Sequence, residues 1–114
     1  MPMAKQYTWT TKKHRIVCGW DNPLGTYYAQ VWPWPEPKLE DGEEPTMDAW
    51  LGTMPDQYPA VLDLADALLP YSAIPMEIEA ALERDGSLRT PRTALQERIC
   101  DLLRHVLDDT KTDR

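Results

Sequence analysis

The 114-residue sequence contains no phenylalanine, only two cysteines and two histidines, and no long apolar run. Without phenylalanine, Trp, Tyr and Leu must fill the bulky positions of the core. No apolar stretch approaches the roughly 18 residues that a membrane span needs. No apolar segment follows the first positive charges, which argues against a secretory signal. We therefore expect a cytoplasmic protein with no membrane partner.

Motifs for common cofactors are also missing from the sequence: it has no Gly-rich phosphate loop and no C-x-x-C pair. His14, Cys18, Cys100 and His105 could form a zinc site only if the first strand lay beside the last helix. As catalytic pairs they fail, because His14 and Cys18 are about 13 Å apart along a strand and Cys100 and His105 do not share a helix face. We expect no metal, no cofactor and no enzymatic activity. A disulfide would require export of the protein.

The net charge of −7 is unevenly distributed, with thirteen acids against Lys38 and Arg84 in residues 36–85. Such a surface repels nucleic acid and favours either a basic protein partner or simple solubility. Residues 1–13 are interpreted as a flexible basic arm. Tyr7 and Trp9, interleaved with its charges, are the only candidate for nucleic-acid binding, which the acidic body opposes.

Alternating residues predict an antiparallel hairpin over residues 14–32, because a period of two is typical of half-buried strands. Asn22-Pro23 and Gly25 supply turn residues between the two runs. A third short strand is predicted over residues 47–52. Each strand should bury one of its two faces. In the first strand Ile16, Cys18 and Trp20 share a face opposite Arg15, Val17 and Gly19. In the second strand the two faces consist of Tyr27, Ala29 and Val31 and of Tyr28, Gln30 and Trp32.

Three later segments have helical periodicity. The first lies between Pro59 and Pro70, and the second runs from Pro75 to a stop at Gly86. The third is predicted to open at Thr90-Pro91, with the threonine as N-cap. The apolar stripe of this third helix consists of Leu95, Ile99, Leu102, Leu103, Val106 and Leu107.

Three strands followed by three helices predict an α+β protein, built from a three-stranded antiparallel meander and three helices. We assign residues 14–114 to a single domain. One helix pair can cover one face of the small sheet. Aromatic side chains on the other face then need a different cover or must face water.

Trp, Tyr and Pro are concentrated between Cys18 and Pro37. Prolines at every second position must end the second strand near Trp32 or let it continue only as an edge. Trp34 should therefore be exposed, whereas Trp32 could equally cap the core. Trp and Tyr dominate interface hot spots, and the acidic segment that follows should contribute through its charge. The predicted partner-binding residues are Tyr28, Trp32, Trp34, Glu40, Asp41, Glu43 and Glu44.

The stripe of the third helix is wider than a helix on a small sheet needs. Either the helix lies wholly buried on the sheet, or part of the stripe pairs with a second copy of the chain. Leu103 and Leu107 are the predicted homodimer residues.

The chain resembles a group of short, uncharacterised bacterial proteins, some of them carried by mobile elements. The resemblance rests on HRIVCGWDNPLGTYYAQVW, on WLGT and on LADALLPYSAIP, and it covers roughly residues 14–83. The shared hairpin has the pattern GWDxPLxTYxAQVW. This group carries no catalytic or binding residue that could be transferred.

Three functional hypotheses follow from the sequence. The first is a small acidic, non-enzymatic protein that binds another protein and modulates or inhibits it. The second is a small enzyme or ligand-binding domain with a pocket between sheet and helices. The third is a structural homodimer built on the last helix.

Overall fold

The computed structural model describes residues 5–112, with side-chain surroundings through Val106. It contains one four-stranded sheet and three helices. The elements are β1 Gln6–Thr10, β2 His14–Asp21, β3 Thr26–Pro33, β4 Ala49–Leu51, α1 Val61–Leu68, α2 Met76–Ser87 and α3 Ala94–Thr112. The predicted α+β class is confirmed.

The sheet has four strands in the order β1-β2-β3-β4, all antiparallel, rather than the predicted three. The additional strand, β1, lies within the segment that the sequence assigned to a flexible arm. Its aromatic residues are anchored far along the chain: Tyr7 Oη donates to Asp85 at 2.6 Å, and Trp9 Nε1 donates to Ser72 Oγ at 2.9 Å. Tyr7 and Trp9 alternate with polar residues over only five positions, and the partners that hold them lie 78 and 63 residues away. So short a pattern does not predict a strand without those partners.

The predicted hairpin is confirmed as β2 and β3, joined by a turn in which the Gly25 amide donates to the Asp21 carbonyl at 2.8 Å. The third predicted strand is present as β4, although it is shorter than expected. The hairpin buries one of its two faces, and the structure shows which one, because six side chains are at most 8% exposed: Ile16, Cys18, Trp20, Tyr27, Ala29 and Val31.

The core lies between this face of the sheet and the helices α1 and α2. Leu64, Leu68 and Leu82 are fully buried in it, and each contributes about 1.5–3 kcal/mol through removal from water. Tyr27 connects the two layers, since its hydroxyl donates to the Leu82 carbonyl at 2.8 Å. Its ring packs edge-on against Trp20 with the centroids 4.8 Å apart. The sheet and α2 are therefore held by both packing and a buried hydrogen bond.

Helix α3 begins at Ala94, so the predicted start at Thr90-Pro91 is wrong. Thr93 caps the helix in a reciprocal pair with Gln96: the Gln96 amide donates to Thr93 Oγ1, and the Thr93 amide donates to Gln96 Oε1. Thr90 has a different partner, because its amide donates to Asn22 Oδ1 at 3.0 Å. The β2–β3 turn thus holds the segment before α3 and delays the start of the helix.

Polar contacts attach α3 to the rest of the protein. Arg92 donates to the Pro23 and Leu24 carbonyls at 2.9 and 2.7 Å, and Cys100 is buried beside the same turn. Asp56 accepts from Arg92 at 2.5 Å and also from Arg104. The expectation that α3 lies wholly buried on the sheet is wrong, because its leucine, isoleucine and valine side chains from position 95 to 106 are 37–67% exposed.

The attachment of α3 through Asp56 should depend on pH. Burial alone would raise the pKa of Asp56, but the guanidinium groups of Arg92 and Arg104 outweigh it and hold the pKa below its ordinary value. A lowered folded-state pKa means that ionised Asp56 stabilises the fold above about pH 4, the pKa of a free aspartate. This contribution is lost as the pH falls through the folded-state pKa.

We therefore expect Asp56→Asn to lower the free energy of unfolding near pH 7 and to leave it almost unchanged in strong acid. Urea unfolding at a series of pH values measures the difference from wild type. Asp66→Asn, at an exposed carboxylate on α1, is the matched control. A destabilisation by Asp56→Asn that persists unchanged at low pH would contradict the ion-pair explanation.

Candidate partner-binding face

The face of the sheet opposite the core carries a group of aromatic side chains. Tyr28 and Trp32 alternate with the buried residues of β3, and Trp50 occupies the corresponding position of β4. The strand register pairs Val17 with Gln30 and Gln30 with Trp50, and it pairs Arg15 with Trp32. We call Arg15, Tyr28, Trp32 and Trp50 the aromatic face.

Exposure varies across the aromatic face. Trp50 is 57% exposed, whereas Arg15, Tyr28 and Trp32 are half-buried. The predicted site residues Tyr28 and Trp32 thus share one surface, and Trp32 does not belong to the core. Of the two outcomes that the sequence left open, Trp50 faces water, whereas Tyr28 and Trp32 are partly covered.

Tyr28 is held in place by its neighbour across the hairpin. It pairs with Gly19, and a methyl group at that glycine would lie 2.7 Å from the Tyr28 hydroxyl and 2.9 Å from its ring. The ring therefore lies over the glycine, as aromatic residues often do in sheets. Burial raises the pKa of Tyr28, although a hydrogen bond with Gln6 acts in the opposite direction. The phenol stays neutral and serves as an apolar surface with one polar end.

The segment after β3 folds beside Trp32. A cavity of about 200 Å³ is lined by Arg15, Trp32, Glu36 and Leu39, together with prolines of the same segment: Pro33, Pro37 and Pro45. Trp34 lies beyond the last strand residue, 37% exposed, with its amide donating to the Lys13 carbonyl at 2.9 Å. Trp34 therefore follows Trp32 closely in the sequence, but it lies just past the end of β3 and is not part of the aromatic face.

The acidic residues predicted to bind a partner form an exposed turn in this segment. The Glu43 amide donates to the Glu40 carbonyl at 3.0 Å, and the Glu40 amide donates to Glu43 Oε1 at 2.9 Å. Asp41 and Glu44 are exposed on the same turn. Because Glu36 and Leu39 line the cavity with Trp32, the acidic turn begins at the border of the aromatic face.

Trp50 and Arg15 belong to this surface but were absent from the predicted site. The alternation of residues 47–52 already indicates that Trp50 lies on the face of the strand opposite Ala49 and Leu51. What the sequence did not contain was the register that aligns Trp50 with Gln30, between Tyr28 and Trp32.

The cysteines and His14 are buried or contact neighbouring residues of the fold. Burial raises the pKa of Cys18 to about 12, so its thiol is protonated at neutral pH and is a poor nucleophile. Cys100 Sγ donates to the Pro23 carbonyl at 3.5 Å, and both cysteines are free. His14 Nε2 lies 3.4 Å from Asp48 Oδ2. Across residues 5–112, no group of three or more His, Cys, Asp or Glu side chains is arranged to hold a metal.

The remaining sequence candidates occupy separate parts of the protein. Tyr7 and Trp9, the aromatic residues of the supposed nucleic-acid arm, contact Asp85 and Ser72. Leu103 lies on α3 and is 37% exposed. Leu107 also belongs to α3, but its side chain lies outside the described residues. A wide groove open to solvent, lined by residues that include Tyr58 and Asp63, adjoins α1.

The fold and this surface define a small α+β protein with one covered and one open sheet face. Comparison with family models, with curated proteins and with solved structures found no match to this chain. The resemblance to short bacterial proteins therefore stays a prediction. Among the described residues, no helix is both long enough and apolar enough to cross a membrane.

Proposed function

We propose that this chain is a non-enzymatic cytoplasmic protein that binds another protein through the aromatic face and thereby modulates or inhibits it. The proposal rests chiefly on one observation: Tyr28, Trp32 and Trp50 lie together on the sheet face that no helix of the core covers. Tyr, Trp and Arg are the residues that most often contribute large binding energies at interfaces, and the aromatic face contains all three types.

The charge beside the aromatic face indicates the chemistry of the partner. The exposed acids Glu40, Asp41, Glu43 and Glu44 follow directly on the segment that lines the Trp32 cavity. Opposite potentials across an interface increase the association rate and select the partner. We therefore propose a partner segment that combines apolar side chains for the aromatic face with basic side chains for the acidic turn.

A photo-crosslinker at the aromatic face tests whether a protein binds there. With p-benzoylphenylalanine in place of Trp50, we expect one cellular protein to be crosslinked and identified by mass spectrometry. The same group in place of Leu62, which is 71% exposed on α1, is the matched control. Equal crosslinking from both positions, or none from position 50, would contradict the proposal.

With the captured protein in hand, Trp50→Ala should weaken its binding by at least about tenfold, because truncation of a central aromatic residue commonly costs more than about 1.4 kcal/mol. The melting temperature should stay nearly unchanged, since Trp50 is 57% exposed. Calorimetric titration measures the affinity, with Leu62→Ala as control. Unchanged affinity would remove Trp50 from the interface.

A further inference from the structure

The exposed stripe of α3 has the spacing of a two-stranded coiled coil. Leu95, Ile99, Leu102 and Val106 follow one another at intervals of four, three and four residues, so leucines occupy the d positions and β-branched residues the a positions. Their exposed fractions are 67, 47, 58 and 62%. We call these four residues the seam. In parallel coiled coils, this choice of residues favours two helices over three or four.

We propose that α3 pairs with the α3 of a second copy of this chain, parallel and in register, through the seam. The pairing differs from the one that the sequence suggested, because Leu103 falls at an e position and flanks the seam. The proposal does not depend on the partner-binding role of the aromatic face, which lies on the sheet.

The body of the protein lies on the opposite side of α3 from the seam. Cys100 packs beside the β2–β3 turn, Arg104 binds Asp56, and Glu97 pairs with Arg92 at 3.4 Å. These three residues occupy b and f positions, which point away from a and d on a helix. Two copies could therefore bring their seams together while both bodies remain on the outside of the helix pair.

The residues beside the seam favour the parallel orientation. Arg98 and His105 occupy g positions, and Leu103 occupies an e position. In a parallel pair each g residue faces an e residue of the second copy, so the aliphatic stem of Arg98 would cover the Leu103 side chain opposite. An antiparallel pair would instead bring the basic g positions of the two copies together.

The size of the apolar patch fits a modest dimer. The seam and Leu103 together expose on the order of 400 Å² of surface per copy, which is near the largest patch of a typical monomer. A standard interface buries roughly 800 Å² per partner. We therefore expect pairing that depends on protein concentration.

Sedimentation equilibrium of the full chain between about 1 and 500 μM tests the pairing, a wide range because an interface smaller than the standard size is typical of weak association. The mass should rise from 13.1 kDa towards twice that value. Ile99→Lys and, separately, Leu102→Lys should weaken association at least tenfold while the melting temperature stays the same. Leu62→Lys, at an exposed leucine of α1, should leave the association unchanged. A one-chain mass for the wild type at the highest concentration would overturn the proposal.

Disulfide trapping tests the orientation. In a parallel pair the two copies of position 95 face each other, so Leu95→Cys should form a covalent dimer with diamide as oxidant. Glu97→Cys, on the outer side of the helix, should not. A concentration-dependent dimer in which Leu95→Cys fails to crosslink would overturn the parallel arrangement.

Discussion

Replacement of Gly86 by alanine is expected to lower the free energy of unfolding by about 3 kcal/mol, although alanine is the better helix former by about 1 kcal/mol. Gly86 is buried in α2, and a methyl group there would overlap the Tyr27 hydroxyl and lie 2.7 Å from its Cζ atom. Tyr27 cannot move aside without losing its hydrogen bond to the Leu82 carbonyl and its packing against Trp20. Both losses are costly because the site is buried.

Urea unfolding followed by circular dichroism measures this effect. Glu83→Ala, at an exposed position of the same helix, is the matched control and should change stability by less than about 0.5 kcal/mol. Tyr27→Phe removes the overlapping oxygen, so the double variant should be less destabilised than the sum of the two single variants. Wild-type stability of Gly86→Ala would show that Tyr27 does not pack on this glycine.

Replacement of Gly52 by alanine should also cost about 3 kcal/mol or more, here through a clash with backbone. Gly52 follows β4 with φ at +78°, and a methyl group there would overlap the Tyr27 carbonyl oxygen and lie 2.7 Å from the Tyr28 Cα atom. Backbone atoms of a paired strand cannot rotate away as a side chain can. The variant should therefore separate β4 from β3 or distort both strands.

Gly42→Ala separates the two causes of this loss. Gly42 has a similar φ of +89°, but nothing lies within 4 Å of the position that a methyl group would take. Its substitution should therefore cost only the conformational strain, about 1 kcal/mol. Thermal unfolding of both variants gives the comparison. Equal losses at the two positions would contradict the close approach at Gly52.

The hairpin could be predicted because its information is local. In β2 and β3 the apolar residues recur every second position, and Asn22, Pro23 and Gly25 form the turn between them. The pleat converts that alternation directly into two faces. That Tyr28 lies on the face opposite Val31 could therefore be predicted before any tertiary contact was known, whereas the choice of the buried face could not.

Features that depend on contacts with distant residues could not be predicted from local sequence patterns. The start of α3 was misplaced because Thr90 and Thr93 are both good N-caps, and only the bond between Thr90 and Asn22 decides between them. The sequence predicts that α2 stops at Gly86, yet the helix includes this residue. Gly86 has no side chain, and this allows the Tyr27 ring to pack closely against α2.

The candidate site also depends partly on local sequence patterns and partly on contacts between distant residues. The sequence by itself determined that aromatic side chains would line one side of β3 and that acids would follow, because strand alternation and charge are properties of neighbouring residues. Only the tertiary structure decided that Trp50 joins them, that α1 and α2 cover the other face, and that the stripe of α3 stays exposed. Register and layer packing depend on contacts between residues far apart in the chain, and a local pattern is compatible with several such arrangements.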